Sequence, residues 1–285
     1  MSQHLLLATD LSARCDRAMD RSLQLAQQWG AELDVINVLE QPVAPEQLLG
    51  WMVSAEEGNA EEIVARAMEK EFAGCNLKGH MHIARGEPKD AIVRQANEID
   101  ASLVVTGMAR SETFGRFLLG STVESMARNI KRPLLVVRNR VHGAYQRIMV
   151  STDFSEASRE VLVRAAQMFP EQELVLYHVV SLPLAGIGGE QSEQKVAQSI
   201  EQGEALAFLL NSGLTPEQRR WVRVVVEAGP LETQMARYVR EKDIQLVILG
   251  SHGRTGLLNM LIGSAAARML EWLPCDSMII RRTVK

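Results

Sequence analysis

The sequence predicts an α/β fold written twice: two flavodoxin-like or Rossmann-like domains, each a five-stranded, parallel, doubly wound sheet. Three observations predict it. The first is an internal repeat. Gly250-Ser251-His252-Gly253, nine residues and Gly263-Ser264 answer Gly107-Met108-Ala109-Arg110, nine residues and Gly120-Ser121, each position 143 further on. Asp10 and Asp153, Gly86 and Gly229, and Arg138 and Arg281 keep the same offset. The second is alternation: short apolar runs alternate with amphipathic stretches, as in a parallel sheet covered by helices. The third is length. A chain of 285 residues divides into two domains of roughly 140 residues each.

In order, the strand-like runs of the first half are 4–9, 33–39, 78–84, 102–107 and 134–138. Those of the second are 147–152, 173–180, 221–227, 245–250 and 277–281. Leu246-Val247-Ile248-Leu249 has no polar alternation, so it reads as a strand buried on both faces. Between the strands, 155–169 reads as a helix with Ser155 as its N-cap and Ala157, Val161, Leu162, Ala165 and Met168 on one face. Gly229-Pro230, like Gly86-Glu87-Pro88, opens the next helix, since proline suits a first helical turn. A helix over 264–272 follows Gly263. Short connections imply right-handed crossovers. The domains are placed at 1–140 and 144–285, with a linker near 139–145. The stretch 181–190, rich in glycine and proline, reads either as a lid or as a solvated loop.

Composition narrows the function. Hydrophobic residues make up 46% and charged residues 23%, which gives each half a sizeable core. The net charge of −4, with no basic stripe, argues against a nucleic-acid surface. Aromatic residues, at 5%, are too few for base-stacking platforms. Cys15, Cys75 and Cys275 are far apart and odd in number, which argues against a disulfide framework and for a reducing compartment. No signal peptide and no membrane-spanning run is read, so the expected location is the cytoplasm.

The chemistry concentrates in the second glycine loop. Gly250 ends a buried strand. Glycine there and at Gly253 lets backbone N–H groups approach a ligand without a Cβ in the way. Gly263-Ser264 then opens a helix, whose unpaired N–H groups and positive dipole end suit phosphate. Arg254 adds a positive charge and the Ser264 hydroxyl a donor. The spacing is neither a Walker loop nor G-x-G-x-x-G, which disfavours dinucleotides.

These motifs resemble those of the universal stress protein family, in a tandem form that spans nearly the whole chain. The residues are the loop, the strand ending Ser151-Thr152-Asp153-Phe154-Ser155 and the strand ending Tyr177-His178-Val179-Val180. The resemblance implies an adenine nucleotide alpha hydrolase-like fold and ATP, with or without Mg, in the second domain. It puts Thr152 and Asp153 at the ribose end and the backbone of Val179 at adenine. Gly250, Gly253, Arg254, Gly263, Ser264 and Ala265 then lie at the phosphates. Two departures stand out. Ala265 and Ala266 follow Ser264 where ATP-binding members often carry a hydroxyl residue. In the first half Arg110 replaces the second loop glycine and Ala109 the usual histidine, so that copy reads as degenerate or as recruiting another anion.

Other constellations are weaker. Asp10 and Asp153 either meet ligand or only cap the next helix. His252 reads first as a loop-packing residue. His80 and His82 share one face of a strand, with Cys75 nearby, but no third metal ligand is visible at useful spacing. Cys15 is either a reactive thiol at a helix start or a half-buried packing residue. The resemblance also implies that the two final strands meet, as in a dimer made covalent. The expectation is an intramolecular pseudo-dimer, with further homodimerisation open. The leading function is a stress-response sensor or binding module, with at most slow ATP hydrolysis. A nucleotide-independent scaffold and a nucleotide-using transferase are the alternatives.

Overall fold

The computed structural model describes residues 3–40, 60–75, 78–108, 112–113, 116–117, 121–180, 190–251 and 264–281. It divides into two compact units. Unit 1 is 1–111 with 118–144, and unit 2 is 145–285 with 112–117.

Unit 1 contains β1 (His4–Ala8), α1 (Asp16–Trp29), β2 (Glu32–Leu39), α2 (Ala60–Glu71), β3 (Met81–Arg85), α3 (Pro88–Glu98) and β4 (Leu103–Gly107). A small antiparallel hairpin of β5 (Glu112–Thr113) and β6 (Arg116–Phe117) groups with unit 2. Unit 1 then closes with α4 (Ser121–Asn129) and β7 (Leu134–Val137). Its strands run parallel in the order β7-β4-β1-β2-β3.

Unit 2 repeats the plan. Its elements are β8 (Ile148–Ser151), α5 (Glu156–Met168), β9 (Leu174–Val180), α6 (Glu190–Leu210) and α7 (Pro216–Arg219). They continue with β10 (Val222–Ala228), α8 (Leu231–Glu241), β11 (Leu246–Gly250), α9 (Ser264–Trp272) and β12 (Asp276–Ile280). Its parallel order is β10-β9-β8-β11-β12.

Both orders read 3-2-1-4-5 when each unit's five sheet strands are numbered along the chain. That is the Rossmann-type arrangement rather than the flavodoxin one. It puts the switch point between β1 and β4 in unit 1, and between β8 and β11 in unit 2. Continuous apolar strands make this possible. Leu5, Leu6 and Leu7 of β1 and Leu246, Val247 and Ile248 of β11 have no solvent exposure, each covered on both faces.

Helix boundaries follow local chemistry. Ser155 caps α5 through its side chain, which accepts from the Ser158 amide, and Val161, Leu162, Ala165 and Ala166 form the buried face. Pro88 occupies the first turn of α3 as expected. Pro230, expected within the first turn of α8, is instead its N-cap residue with extended backbone, and the helix begins at Leu231. β3 begins at Met81, later than the apolar run suggested. The Lys78 and His80 carbonyls accept from the Leu33 and Val35 amides, but 78–80 lies outside the regular strand.

Candidate functional site

In unit 2 the main chain of β8 runs out beside β9 and β11. The Thr152 amide donates to the Tyr177 carbonyl at 3.0 Å. The chain then turns sharply. Thr152 Oγ1 accepts from the Phe154 amide at 3.0 Å, and Asp153 Oδ1 accepts from the Ser155 amide at 3.1 Å and its hydroxyl at 2.6 Å. Phe154 adopts φ +61°, a left-handed conformation that a bulky residue holds only when its surroundings fix it. The turn hands over directly to α5, because the Ser155 hydroxyl that donates to Asp153 also accepts from the Ser158 amide. Thr152 Oγ1 donates to Ser158 Oγ at 3.0 Å, which ties the strand end to the first helical turn.

His178 locks the neighbouring strand end to this turn. Its Nδ1 lies 2.8 Å from the Thr152 carbonyl. A carbonyl can only accept, so Nδ1 carries the proton. Its Nε2 is 3.5 Å from Glu201 Oε2 of α6, and its ring lies 4.3 Å from that of Phe154. The ring of Phe208, also on α6, lies 5.6 Å from that of Phe154. From sequence, Phe154 had no role and Glu201 and Phe208 were not named; both of these lie on α6, and no spacing links that helix to the strand end.

Val179 is 8% exposed and its side chain belongs to the unit 2 core, so what it offers a ligand at the sheet's carboxyl edge is backbone. Gly250 ends β11, and the Ser251 amide beyond it donates to the Ile280 carbonyl at 3.1 Å. The β8–β11 register aligns Val150 with Ile248, so Thr152 and Gly250 leave the sheet side by side. Thr152, Asp153, Val179 and Gly250 therefore gather at the carboxyl ends of adjacent strands, where such sheets bind ligands. Ser264 and Ala265 begin α9. Gly253, Arg254, Gly263 and His252 lie outside the described residues.

Unit 1 repeats the turn with altered chemistry. Thr9 Oγ1 accepts from the Leu11 amide, and Asp10 Oδ1 accepts from the Ser12 amide and hydroxyl. Leu11 has φ +58°, matching Phe154. Asn37 Nδ2 donates to the Thr9 carbonyl at 2.9 Å and takes the part of His178. Helix entry differs. Cys15 stands where Ser158 stands in unit 2, and α1 starts at Asp16 with no side-chain cap. The Cys15 thiol donates to Asp10 Oδ1 at 3.2 Å. Burial, and then the adjacent Asp10 charge, push this thiol up to about 11. A thiol held this high favours the packing reading of Cys15. Burial would raise Asp10, but hydrogen bonds from Ser12 and Cys15, with Arg14 alongside, hold its carboxyl below the usual range.

Gly107 has a packing reason of its own. A Cβ there would stand 2.8 Å from the Arg14 carbonyl oxygen. The first glycine of the loop is thus required in unit 1 by the approach of the chain entering α1, with no ligand invoked. Arg110 lies outside the described residues.

The family model for universal stress proteins matches the chain twice, over residues 1–138 and 144–281. The chain belongs to the universal stress protein family. A universal stress protein of Mycolicibacterium smegmatis is 29% identical over 301 aligned positions, covering 97% of this chain and 96% of the relative. One from Mycobacterium tuberculosis is 28% identical, covering 85% of this chain and 88% of the relative. The tandem form is thus shared with other universal stress proteins of similar length. In fold, the chain is similar to a universal stress protein from Archaeoglobus fulgidus, with a TM-score of 0.68 at 19% identity over 99% of this chain and all of that one. Among the described residues, no helix is long and apolar enough to cross a membrane.

Proposed function

We propose that unit 2 binds ATP or a related adenine nucleotide, with or without Mg, and that the chain acts in the cytoplasm as a stress-response sensor or binding module with at most slow hydrolysis. One observation supports this most: Thr152, Asp153, the Val179 backbone and Gly250 leave adjacent strands at a switch point, in a chain whose next helix opens at Ser264. In this reading Asp153 meets the ribose and the Val179 backbone meets adenine. Gly253, Arg254 and Gly263 join Ser264 and Ala265 at the phosphates. The sequence offers no evident nucleophile with a positioned general base, which is why binding rather than turnover is proposed.

The test is mass spectrometry of the small molecules released when the purified protein is denatured, followed by nucleotide titration of Asp153→Asn. Asparagine keeps an acceptor for Ser155, so the variant should fold normally and bind ATP more weakly. Unchanged affinity in the folded variant contradicts the ribose assignment. A protein that releases no nucleotide and binds none favours the scaffold reading, which the Ala265-Ala266 pair supports.

A further inference from the structure

The strand-end turn of unit 2 is also a fastening for α6. Among the described residues, the small core under this helix is Val180, Ala205 and Val226, with Phe154 and Val224 packed against it. Phe154 comes from the turn itself. Its ring lies 5.6 Å from that of Phe208 on α6 and 4.3 Å from that of His178 on β9. His178 spans the same gap. Its Nδ1 donates to the Thr152 carbonyl at 2.8 Å, and its Nε2 stands 3.5 Å from Glu201 Oε2 on α6. Ile200, Leu206 and Leu210 of the same helix are exposed. Gly203 weakens the helix further. A Cβ there would meet no atom within 4 Å, so packing does not require the glycine, and glycine is a poor helix former. An element held in this way opens more easily than the buried strands beneath it.

Unit 1 shows what the turn needs by itself. Leu11 holds the same left-handed conformation as Phe154, φ +58° against +61°. Asn37 Nδ2 donates to the Thr9 carbonyl at 2.9 Å, as His178 does to that of Thr152. A leucine and an asparagine therefore suffice for the turn. The phenylalanine and histidine of unit 2 keep those two tasks and add a reach to α6: a ring that meets Phe208, and a second ring nitrogen directed at Glu201.

We propose that Phe154 and His178 couple nucleotide binding in unit 2 to the seating of α6, as positioning residues that act through the turn. The coupling rests on nucleotide binding at this edge. Phe154 follows Asp153 and His178 precedes Val179 in the chain, so a ligand held by Asp153 and the Val179 backbone fixes both neighbours. A bulky left-handed residue persists only while its surroundings hold it. A ligand that holds the turn keeps Phe154 against Phe208 and His178 against Glu201. It then binds better to molecules whose α6 is seated, and it shifts the population by that difference. The effect is reciprocal: whatever seats α6 raises nucleotide affinity by the same factor, and whatever draws it off lowers it.

Hydrogen exchange by mass spectrometry on the full-length protein, with and without saturating ATP and Mg, tests this. α8 of the same unit is the reference, because ligand binding slows exchange through global opening in both helices alike. Amides of 199–210 should gain protection beyond those of α8 by about fivefold or more, the lower end of allosteric couplings. Phe154→Leu/His178→Asn transplants the unit 1 pair. It should keep the ATP-induced protection of 151–158 and lose the excess in α6. An equal excess in both proteins, or none in the wild type, overturns the coupling and leaves nucleotide binding standing. If ATP slows no unit 2 amide and calorimetry finds no binding, the nucleotide site falls first and takes the coupling with it. Glu201→Ala/Phe208→Leu cuts the same links from the α6 side and decides where the transplant does not fold: an undiminished α6 excess in that protein overturns the proposal.

Discussion

Asp153 and Asp10 each spend one carboxylate oxygen on the turn that follows their strand, bonding the amide and hydroxyl of the serine two residues on. The capping reading is therefore observed at both aspartates, and at Asp153 it stands beside the ligand role proposed above. Asp153→Ala should cost about 1 kcal/mol of stability, the scale of a lost local cap, measured by denaturant melts; Asp153→Asn should cost less than half of that. The same scale sets apart the two thiol readings of Cys15. With its pKa pushed up to about 11, roughly one molecule in ten thousand carries the thiolate at pH 7. Iodoacetamide should leave Cys15 unlabelled at neutral pH over times that modify a small free thiol. Asp10→Asn, which removes a charge that raises the thiol, should speed the labelling. Equal, rapid labelling in both proteins contradicts the assigned cause.

Among the elements, most of the fold was legible because each strand of the two five-stranded arrays is a short apolar run and α3, α5, α8 and α9 open on a recognisable signal. Ser155 was readable as a cap from its place before an amphipathic stretch, and it does cap α5. Ser155→Ala should lower stability by about 1 kcal/mol, read as a shifted denaturation midpoint at constant slope. What the sequence hid came from long-range contact. The face shared by His80 and His82 was visible as period two, but Asp34, which bonds both His4 and His82, and His4 itself join them from strands 46 and 76 residues earlier than His80, and only sheet order brings these together. β3 was read three residues too early, since the 78–80 segment hydrogen-bonds to β2 without entering the regular ladder. Gly107 was read as a loop glycine. Its tight approach to the Arg14 carbonyl makes Gly107→Ala destabilising by roughly 1–3 kcal/mol, the range for overpacking. A thermal melt that leaves Gly107→Ala unchanged would show that the entry to α1 can shift aside.

For the whole molecule, two copies of one plan have diverged at the same edge. Unit 2 keeps Ser158 and a capped helix beside its strand-end turn, while unit 1 has Cys15 and a helix that starts one turn later. Its loop sequence carries Arg110 where unit 2 carries Gly253. The candidate site was legible only in part. The strand-end residues Thr152, Asp153, Val179 and Gly250 were named from sequence and do share one edge, whereas Phe154 and His178 stack there through a left-handed turn that no spacing announces. We propose one adenine nucleotide site per chain, in unit 2. Calorimetric titration of the chain with ATP, beside Gly253→Arg, is the decisive measurement. About one site per chain is expected, with affinity at least tenfold lower in the variant, about 1.4 kcal/mol. Two equivalent sites, or unchanged binding in a folded Gly253→Arg protein, would contradict it.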